Sequence, residues 1–322
     1  MMNNDNVKKK IAELVHNAQK IAISSHVRPD ADCIGSGLAL YQMLRQLGKE
    51  VCYCNTDPAP YPLTQLPNYE VIEFRQVFPE EFDLYFLIEG ATEIRTGQKN
   101  LDGYYTINID HHATSSNDAS LNWVEPKAAA VGELIYDLGV CLGIEFTRDI
   151  GFNLYAAIAS DTGSFKYSNT TDKSLQICAE LVKMSGFPPS DVSNLLFNSN
   201  HYEKVQMIQQ VLATTELHLQ SQVCIIRFER SFLDTLDLKD IETEDVISIA
   251  RSIIGVVVTL FFKEIGDCHY RVSIRSKGAF NSQKVAQEFN GGGHDHAAGF
   301  FYKGSFSEAR EKILEVINRQ LS

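Results

Sequence analysis

His26, Asp30 and Asp32 fall within seven residues of "SSHVRPDADCIGSG", directly after the apolar run "KIAISS" and directly before a helical period. An imidazole and two carboxylates at one strand-to-helix junction suit a cation site, because carboxylates two residues apart in a turn can each reach a different ion. Helix capping would explain one aspartate there, but not the histidine and both acids. Similar groups recur at comparable positions: Glu89 ends "LYFLIE", Asp110, His111 and His112 end "TINIDHH", and Asp161 follows "LYAAIAS". Each is weak alone. Four such places at strand or helix ends point to one metal centre.

The elements that must position these groups show in the periodicity. Strand-length apolar segments alternate with helical periods through the first half of the chain. "KIAISS" leads into a helix marked by Leu38, Tyr41, Leu44 and Leu47 and ending at Gly48, and strands "VCYCN", "FDLYFLIE" and "YYTINID" follow. Helices are predicted near residues 129–142, 147–159 and 175–184. This rhythm predicts an α/β fold whose mainly parallel sheet is covered on both faces, with function gathered at the carboxyl ends of the strands. Turn formers in "GFPPSDVSNLLFNSN" place the domain connection near its end. Residues 1–195 are expected to form the metal-binding catalytic domain, 196–206 a linker, and 207–322 a smaller α+β domain. In that second part, strands "QVCIIRFE", "GVVVTLFFKE", "HYRVSIRS" and "AAGFFY" are interleaved with helices near 245–253 and 283–289 and a final helix.

Composition narrows the function. The chain has 322 residues, 44% of them hydrophobic, with both charge signs dispersed, as in globular proteins. No apolar stretch approaches the roughly 20 residues of a membrane span. The N-terminus reads straight into an amphipathic helix without the apolar core of a signal peptide, so a cytoplasmic location and no membrane partner are expected. Seven scattered cysteines suit a reducing compartment, and Cys52 and Cys54 read as alternating strand residues rather than a zinc half-site. A net charge of -12 disfavours long nucleic acid as a partner. A small anionic substrate stays open where positive charge is supplied locally.

"SHVRPDADCIGS", "IDHHAT", "IASDTGSFKY" and "NGGGHDHAAGF" resemble the motifs of the DHH phosphoesterases with a DHH-associated C-terminal domain. The resemblance is to the RecJ-like, two-domain group of nanoRNases and phosphatases of 3'-phosphoadenosine 5'-phosphate (pAp), and it runs from about Lys20 to the final helix. It implies two Mn²⁺ ions, with other divalent metals possible. His26 and Asp30 would bind one ion, Asp32, His111 and Asp161 the other, and Glu89 would bridge both. Four carboxylates against two dications leave the centre near neutrality, so that it would activate water as the nucleophile and polarise a phosphoryl oxygen. No protein nucleophile is then needed, and Ser24 and Ser25 read as strand-end packing. His112 is expected to contact the phosphate or to donate to the leaving oxygen, and Asp110 to orient an imidazole ligand.

In the second domain, Gly291, Gly292 and Gly293 place backbone amides where an anion can approach closely, with His294 next to them. Their match to the family's tail, together with Arg275, implies phosphate and base binding in a cleft between the domains, since arginine grips phosphate bidentately. His296 can be structural, and His16, His201 and His218 lack ligand neighbours. The implied substrates are short RNA oligonucleotides, cut to 5'-mononucleotides, pAp, converted to AMP, or small dinucleotides, and the implied assembly is a homodimer. One departure stands out, because the family usually carries aspartate where this chain has Glu89, and the extra methylene moves the carboxylate by about 1.5 Å. Three readings follow. They are an active enzyme, a nucleotide-binding or regulatory homologue with an impaired centre, and an inorganic pyrophosphatase, the last disfavoured by the glycine tail. A cyclic or linear dinucleotide phosphodiesterase is a further alternative. A processive RecJ-type exonuclease fits neither the length nor the acidity.

Overall fold

The computed structural model describes residues 4–78, 82–234 and 244–321. Contacts divide the chain into two units, Met1–Ser199 and Asn200–Ser322. The first unit begins with helix α1 (Asn4–Asn17), strand β1 (Lys20–Ser25), helix α2 (Ala31–Gln46) and strand β2 (Glu50–Asn55). It continues through β3 (Ile72–Phe74), β4 (Leu84–Ile88), the short helix α3 (Glu93–Thr96), β5 (Thr106–Asp110) and β6 (Leu121–Val124). Helices α4 (Val131–Leu142), α5 (Arg148–Asp161), α6 (Asp172–Ser185) and α7 (Pro189–Phe197) complete it.

The six strands form the expected parallel sheet, in the order β3-β2-β1-β4-β5-β6. From β1 the chain builds outward first through β2 and β3, then on the other side through β4, β5 and β6. The switch point therefore lies between β1 and β4, where open α/β sheets form their crevice. Register sets the level of the site. Ser25 pairs with Ile88, and Ile88 with Ile109, so the next residues along, His26, Glu89 and Asp110, emerge side by side at one sheet edge.

Alternation explains the burial. Ile21 and Ile23 of β1 and Leu84, Phe86 and Ile88 of β4 face the helix-covered core, while Ala22, Tyr85 and Leu87 point the other way. There, Phe78, Phe82, Leu101 and Tyr104 from loops cover them, with Tyr85 stacked on Tyr104 at 4.2 Å between ring centroids. Strands buried on both faces read as unbroken apolar runs, as these do. On the helical side α2 lies close against α5, because Gly35 has no side chain: a Cβ there would stand 2.5 Å from the Asn153 carbonyl oxygen. Ile34, Leu38, Leu154 and Ile158 are fully buried in this core, each contributing about 1.5–3 kcal/mol. Asp30 caps α2 and Thr147 caps α5, satisfying N–H groups that the first turn leaves without partners. Helix α5 runs through Asp161, so this carboxylate ends a helix instead of following one.

The second unit contains α8 (Tyr202–Ala213), β7 (Glu216–His218), β8 (Val223–Phe228), α9 (Glu244–Arg251), β9 (Val258–Gly266) and β10 (His269–Ser276). It ends with α10 (Ser282–Glu288), β11 (Gly292–His294), β12 (Ala297–Lys303) and α11 (Phe306–Leu321). Its mixed sheet has the order β11-β12-β10-β9-β8-β7, and only β8 and β9 pair in parallel. Val285, Ile313 and Ile317 of α10 and α11 pack against one sheet face, and Met207, Val211 and Val246 of α8 and α9 against the other. Residues 198–201 separate α7 from α8, so the span 196–206 is helical at both ends. Among the described residues, no helix is long and apolar enough to cross a membrane. All seven cysteines are free.

Candidate metal centre

His26 follows β1 directly and is buried. Its Nδ1 pairs with the Val27 carbonyl oxygen at 2.8 Å, which turns Nε2 inward. Nε2 lies 3.6 Å from Asp30 Oδ2 and 3.4 Å from Glu89 Oε2. The other Glu89 oxygen, Oε1, is 3.9 Å from His111 Nε2, which is also 3.2 Å from Asp161 Oδ2 and 3.9 Å from Asp32 Oδ2. One carboxylate thus presents an oxygen to each of two imidazoles. Asp30 is held by its capping role, with Oδ1 accepting from Cys33 N at 3.0 Å while Oδ2 faces His26. Asp32, in the first turn of α2, accepts from Val131 N at 2.6 Å, Gly132 N at 3.0 Å and Ser36 Oγ at 3.1 Å. It therefore also caps the start of α4, a partner about 100 residues away that no local pattern announces.

These spacings suit a cation held between the groups. Two ligands about 2.1 Å from one ion in a tetrahedral arrangement lie about 3.4 Å apart. His26 Nε2 and Glu89 Oε1 are buried without a hydrogen-bond partner, whereas buried polar atoms normally have one. Donor atoms cluster within 4.8 Å in three groups: His26, Asp30 and Cys33; Asp32, His111 and Asp161; and Glu89, His111 and His112. Charge points the same way. Burial, then the charges of Asp32, Asp30 and Asp161, push the Glu89 carboxyl well above its usual range. Burial and the Asp161 charge push Asp32 up to about 6. Burial opposes the imidazolium at His26 and His111, yet Asp30 lifts His26 to about 11, and Asp161 with Asp32 lifts His111 to about 9. Divalent cations would supply the positive charge that these crowded carboxylates call for. The residues fit that role.

Backbone strain marks the centre. Glu89 has φ +56°, a left-handed conformation that costs a non-glycine residue on the order of 1 kcal/mol. Its N–H donates to Ile109 O at 3.0 Å and its carbonyl accepts from Arg95 Nε at 3.1 Å. The Arg95 carbonyl in turn accepts from Val27 N at 2.8 Å, so one arginine ties the Glu89 turn to the His26 turn. His111 Nδ1 pairs with Ala128 O at 3.2 Å. Asp110, expected to orient a ligand imidazole, holds His112 and not His111: its Oδ1 accepts from His112 N at 2.9 Å and pairs with His112 Nδ1 at 2.8 Å. Burial would raise Asp110, yet the bonds from His112 and Ser115 hold it below the usual carboxylate range. The His111 and His112 rings meet edge to face at 4.5 Å. Two groups escaped the sequence reading. Cys33 lies among the donor atoms, and Asn169 donates to the carbonyls of Asp161 at 3.0 Å and Ala129 at 3.2 Å.

Comparison with known proteins places the chain in a family. The DHH family, N-terminal domain, matches residues 20–159, and the DHHA1 domain matches residues 228–322. The chain is 33% identical over 304 residues to the bifunctional oligoribonuclease and PAP phosphatase NrnA of Thermus thermophilus, covering 94% of this chain and 90% of that protein. It belongs to the DHH family. It is accordingly an enzyme of the phosphoesterase class. An exopolyphosphatase-related protein from Bacteroides fragilis shares the fold with a TM-score of 0.87 at 24% identity, over 97% of this chain and 95% of that one. RecJ from Thermus thermophilus, solved with Mn²⁺, shares it with a TM-score of 0.54 at 12% identity, over 97% of this chain and 55% of RecJ.

The DHHA1 domain of this DHH protein carries the remaining candidates. Arg275 on β10 alternates with buried Ile274 and Ser276 and donates from Nη1 to Ile274 O at 3.2 Å. The three glycines form no open loop. Gly292, Gly293 and His294 pair as strand β11 with Gly299, Ala298 and Ala297 of β12. A Cβ at Gly291 would lie 2.3 Å from the Gly299 carbonyl oxygen, and one at Gly293, where φ is +142°, would lie 2.4 Å from that of Ala297. Two of the glycines thus serve a tight hairpin, and only Gly292 faces open space. His294 is exposed. His296 pairs with Ser276, Nδ1 to Oγ at 3.2 Å, and closes the same hairpin.

Proposed function

We propose that this chain is a Mn²⁺-dependent phosphoesterase that hydrolyses short oligoribonucleotides to 5'-mononucleotides and pAp to AMP. The observation that carries the proposal is the placement of Glu89, with Oε2 3.4 Å from His26 and Oε1 3.9 Å from His111, each imidazole sitting among further carboxylates. In this reading His26 and Asp30 hold one cation, Asp32, His111 and Asp161 hold a second, and Glu89 serves both. When bound, such ions lower the pKa of water and polarise a phosphoryl oxygen. The chain's own residues do the rest. His112, anchored by Asp110, contacts the phosphate or delivers a proton to the leaving oxygen. Arg275, with the amide of Gly292 and the imidazole of His294, binds the terminal phosphate, and the acidic chain discourages longer polymers. The activities named for the relative from Thermus thermophilus support the substrate classes, and the Mn²⁺ of the RecJ structure supports the metal. A cytoplasmic homodimer belongs to the same proposal.

A second reading, a nucleotide-binding homologue with a detuned centre, has in its favour the glutamate where the family usually carries aspartate. One experiment separates the two: release of mononucleotide from a short RNA, and of phosphate from pAp, with and without Mn²⁺, for wild type and Glu89→Asp. The expected result is turnover by the wild type and less by the variant. Activity confined to the variant would favour the detuned centre, and inactivity of both would refute the assigned reaction.

A further inference from the structure

The buried thiol of Cys33 has no place in the reading above. It sits three residues after the cap of α2, fully buried, with its Sγ 3.5 Å from the Asp30 carbonyl oxygen. Its donor atom lies within 4.8 Å of those of His26 and Asp30. Beside it His26 Nε2, on a side chain only 6% exposed, has no hydrogen-bond partner and lies 3.6 Å from Asp30 Oδ2. A weak thiol-to-carbonyl contact explains where the sulfur rests. It does not explain why a soft donor stands next to an unpartnered imidazole and a carboxylate.

We infer that Cys33 is a third protein ligand of the cation held by His26 and Asp30, so that the two halves of the centre differ in chemistry. This rests on the metal-centre reading above and deepens it. One half would be Asp32, His111 and Asp161, with one nitrogen donor and oxygen donors that suit Mn²⁺. The other would be nitrogen, oxygen and sulfur, a set that favours Zn²⁺, Fe²⁺ or Co²⁺ over Mn²⁺. On coordination the S–H bond is replaced by a metal–sulfur bond, and the proton leaves to water. The helix N-terminus at which Cys33 lies favours the thiolate once burial is offset by the cation.

Cobalt titration of the metal-free full chain tests this without any turnover measurement. Wild type is expected to show visible ligand-field bands and, with them, a near-ultraviolet thiolate-to-cobalt charge-transfer band. Cys33→Ser and Cys33→Ala should keep the visible bands and lose the charge-transfer band. Asp161→Ala, altered in the other half, should retain it. In competition calorimetry, Cys33→Ser should lower the preference for Zn²⁺ over Mn²⁺ by about tenfold or more. Visible bands in the wild type without charge transfer, or a charge-transfer band that survives in Cys33→Ser, would overturn the inference while leaving the metal centre standing. Absence of visible bands in the wild type would instead refute the metal centre, and this inference with it.

Discussion

Replacing Glu89 by Gln removes a buried charge and keeps the side chain's shape, so in chelated protein it should stabilise the first unit. Glu89 Oε1 and Asp32 Oδ2 each lie 3.9 Å from His111 Nε2, which limits their separation to twice that distance, about 7.8 Å. At an effective dielectric of about 20, two charges that close repel by about 2 kcal/mol. Burial adds to the cost of ionising Glu89. Because the folded state raises this carboxyl's pKa, its contribution to stability is fully present below the ordinary glutamate range and is lost as pH rises through the folded value. The advantage of Gln should therefore be near zero at about pH 4, where glutamate is largely protonated in both states. The Asp32 repulsion sets it at about 2 kcal/mol once Glu89 is ionised, with burial adding to it and the attraction of protonated His26 and His111 subtracting from it. Urea unfolding with a chelator measures this through Trp123, the chain's single tryptophan, buried in β6 of the first unit. The midpoint should move without a change in slope. Saturating Mn²⁺ should reverse the order, since a ligand at 100 times its Kd stabilises the native state by about 2.7 kcal/mol and the variant has lost the shared ligand. A variant no more stable than wild type at high pH, without metal, would show that the carboxylates do not repel as placed, and the bridging argument would fall.

Asp110→Asn should lower kcat by on the order of tenfold or more while leaving Mn²⁺ affinity unchanged, because the bonds it loses are to His112 rather than to His111. Adding His112→Ala should then cost little more, as the pair acts as a unit; steady-state kinetics on pAp, with metal titration, checks both. Gly293→Ala should destabilise the second unit by more than about 1 kcal/mol and raise KM, given its positive φ and the 2.4 Å approach to the Ala297 carbonyl oxygen. Gly292→Ala meets nothing within 4 Å and should stay within about 0.5 kcal/mol of wild type in thermal unfolding. Arg275→Ala should raise KM at nearly constant kcat, and an unchanged KM would remove it from the phosphate site.

The strand ends were legible because they are local: a polar residue terminating an apolar run marks the sheet edge, and parallel register then aligns His26, Glu89 and Asp110. What stayed hidden depended on partners far along the chain. Asp32 reads as one more ligand until α4, 99 and 100 residues later, delivers two N–H groups to it. The glycine run read as backbone open to an anion because its strand partner lies beyond the Asp295–His296 turn, and only that partner shows that two of the glycines are there for lack of room. The partner of Asp110 is a different case, since the signal was present. Along an extended chain side chains alternate, so residues i and i+2 share a side. In "IDHH" this puts Asp110 with His112, whose Nδ1 it pairs with at 2.8 Å, while His111 Nε2 lies 3.2 Å from Asp161 Oδ2. Glu89 follows from the same kind of local reasoning carried one step further. A longer side chain at a strand end appears misplaced if the backbone is taken as extended, but at φ +56° the chain leaves in another direction. There the carboxylate lies between the two imidazoles, with Oε2 3.4 Å from His26 Nε2 and Oε1 3.9 Å from His111 Nε2.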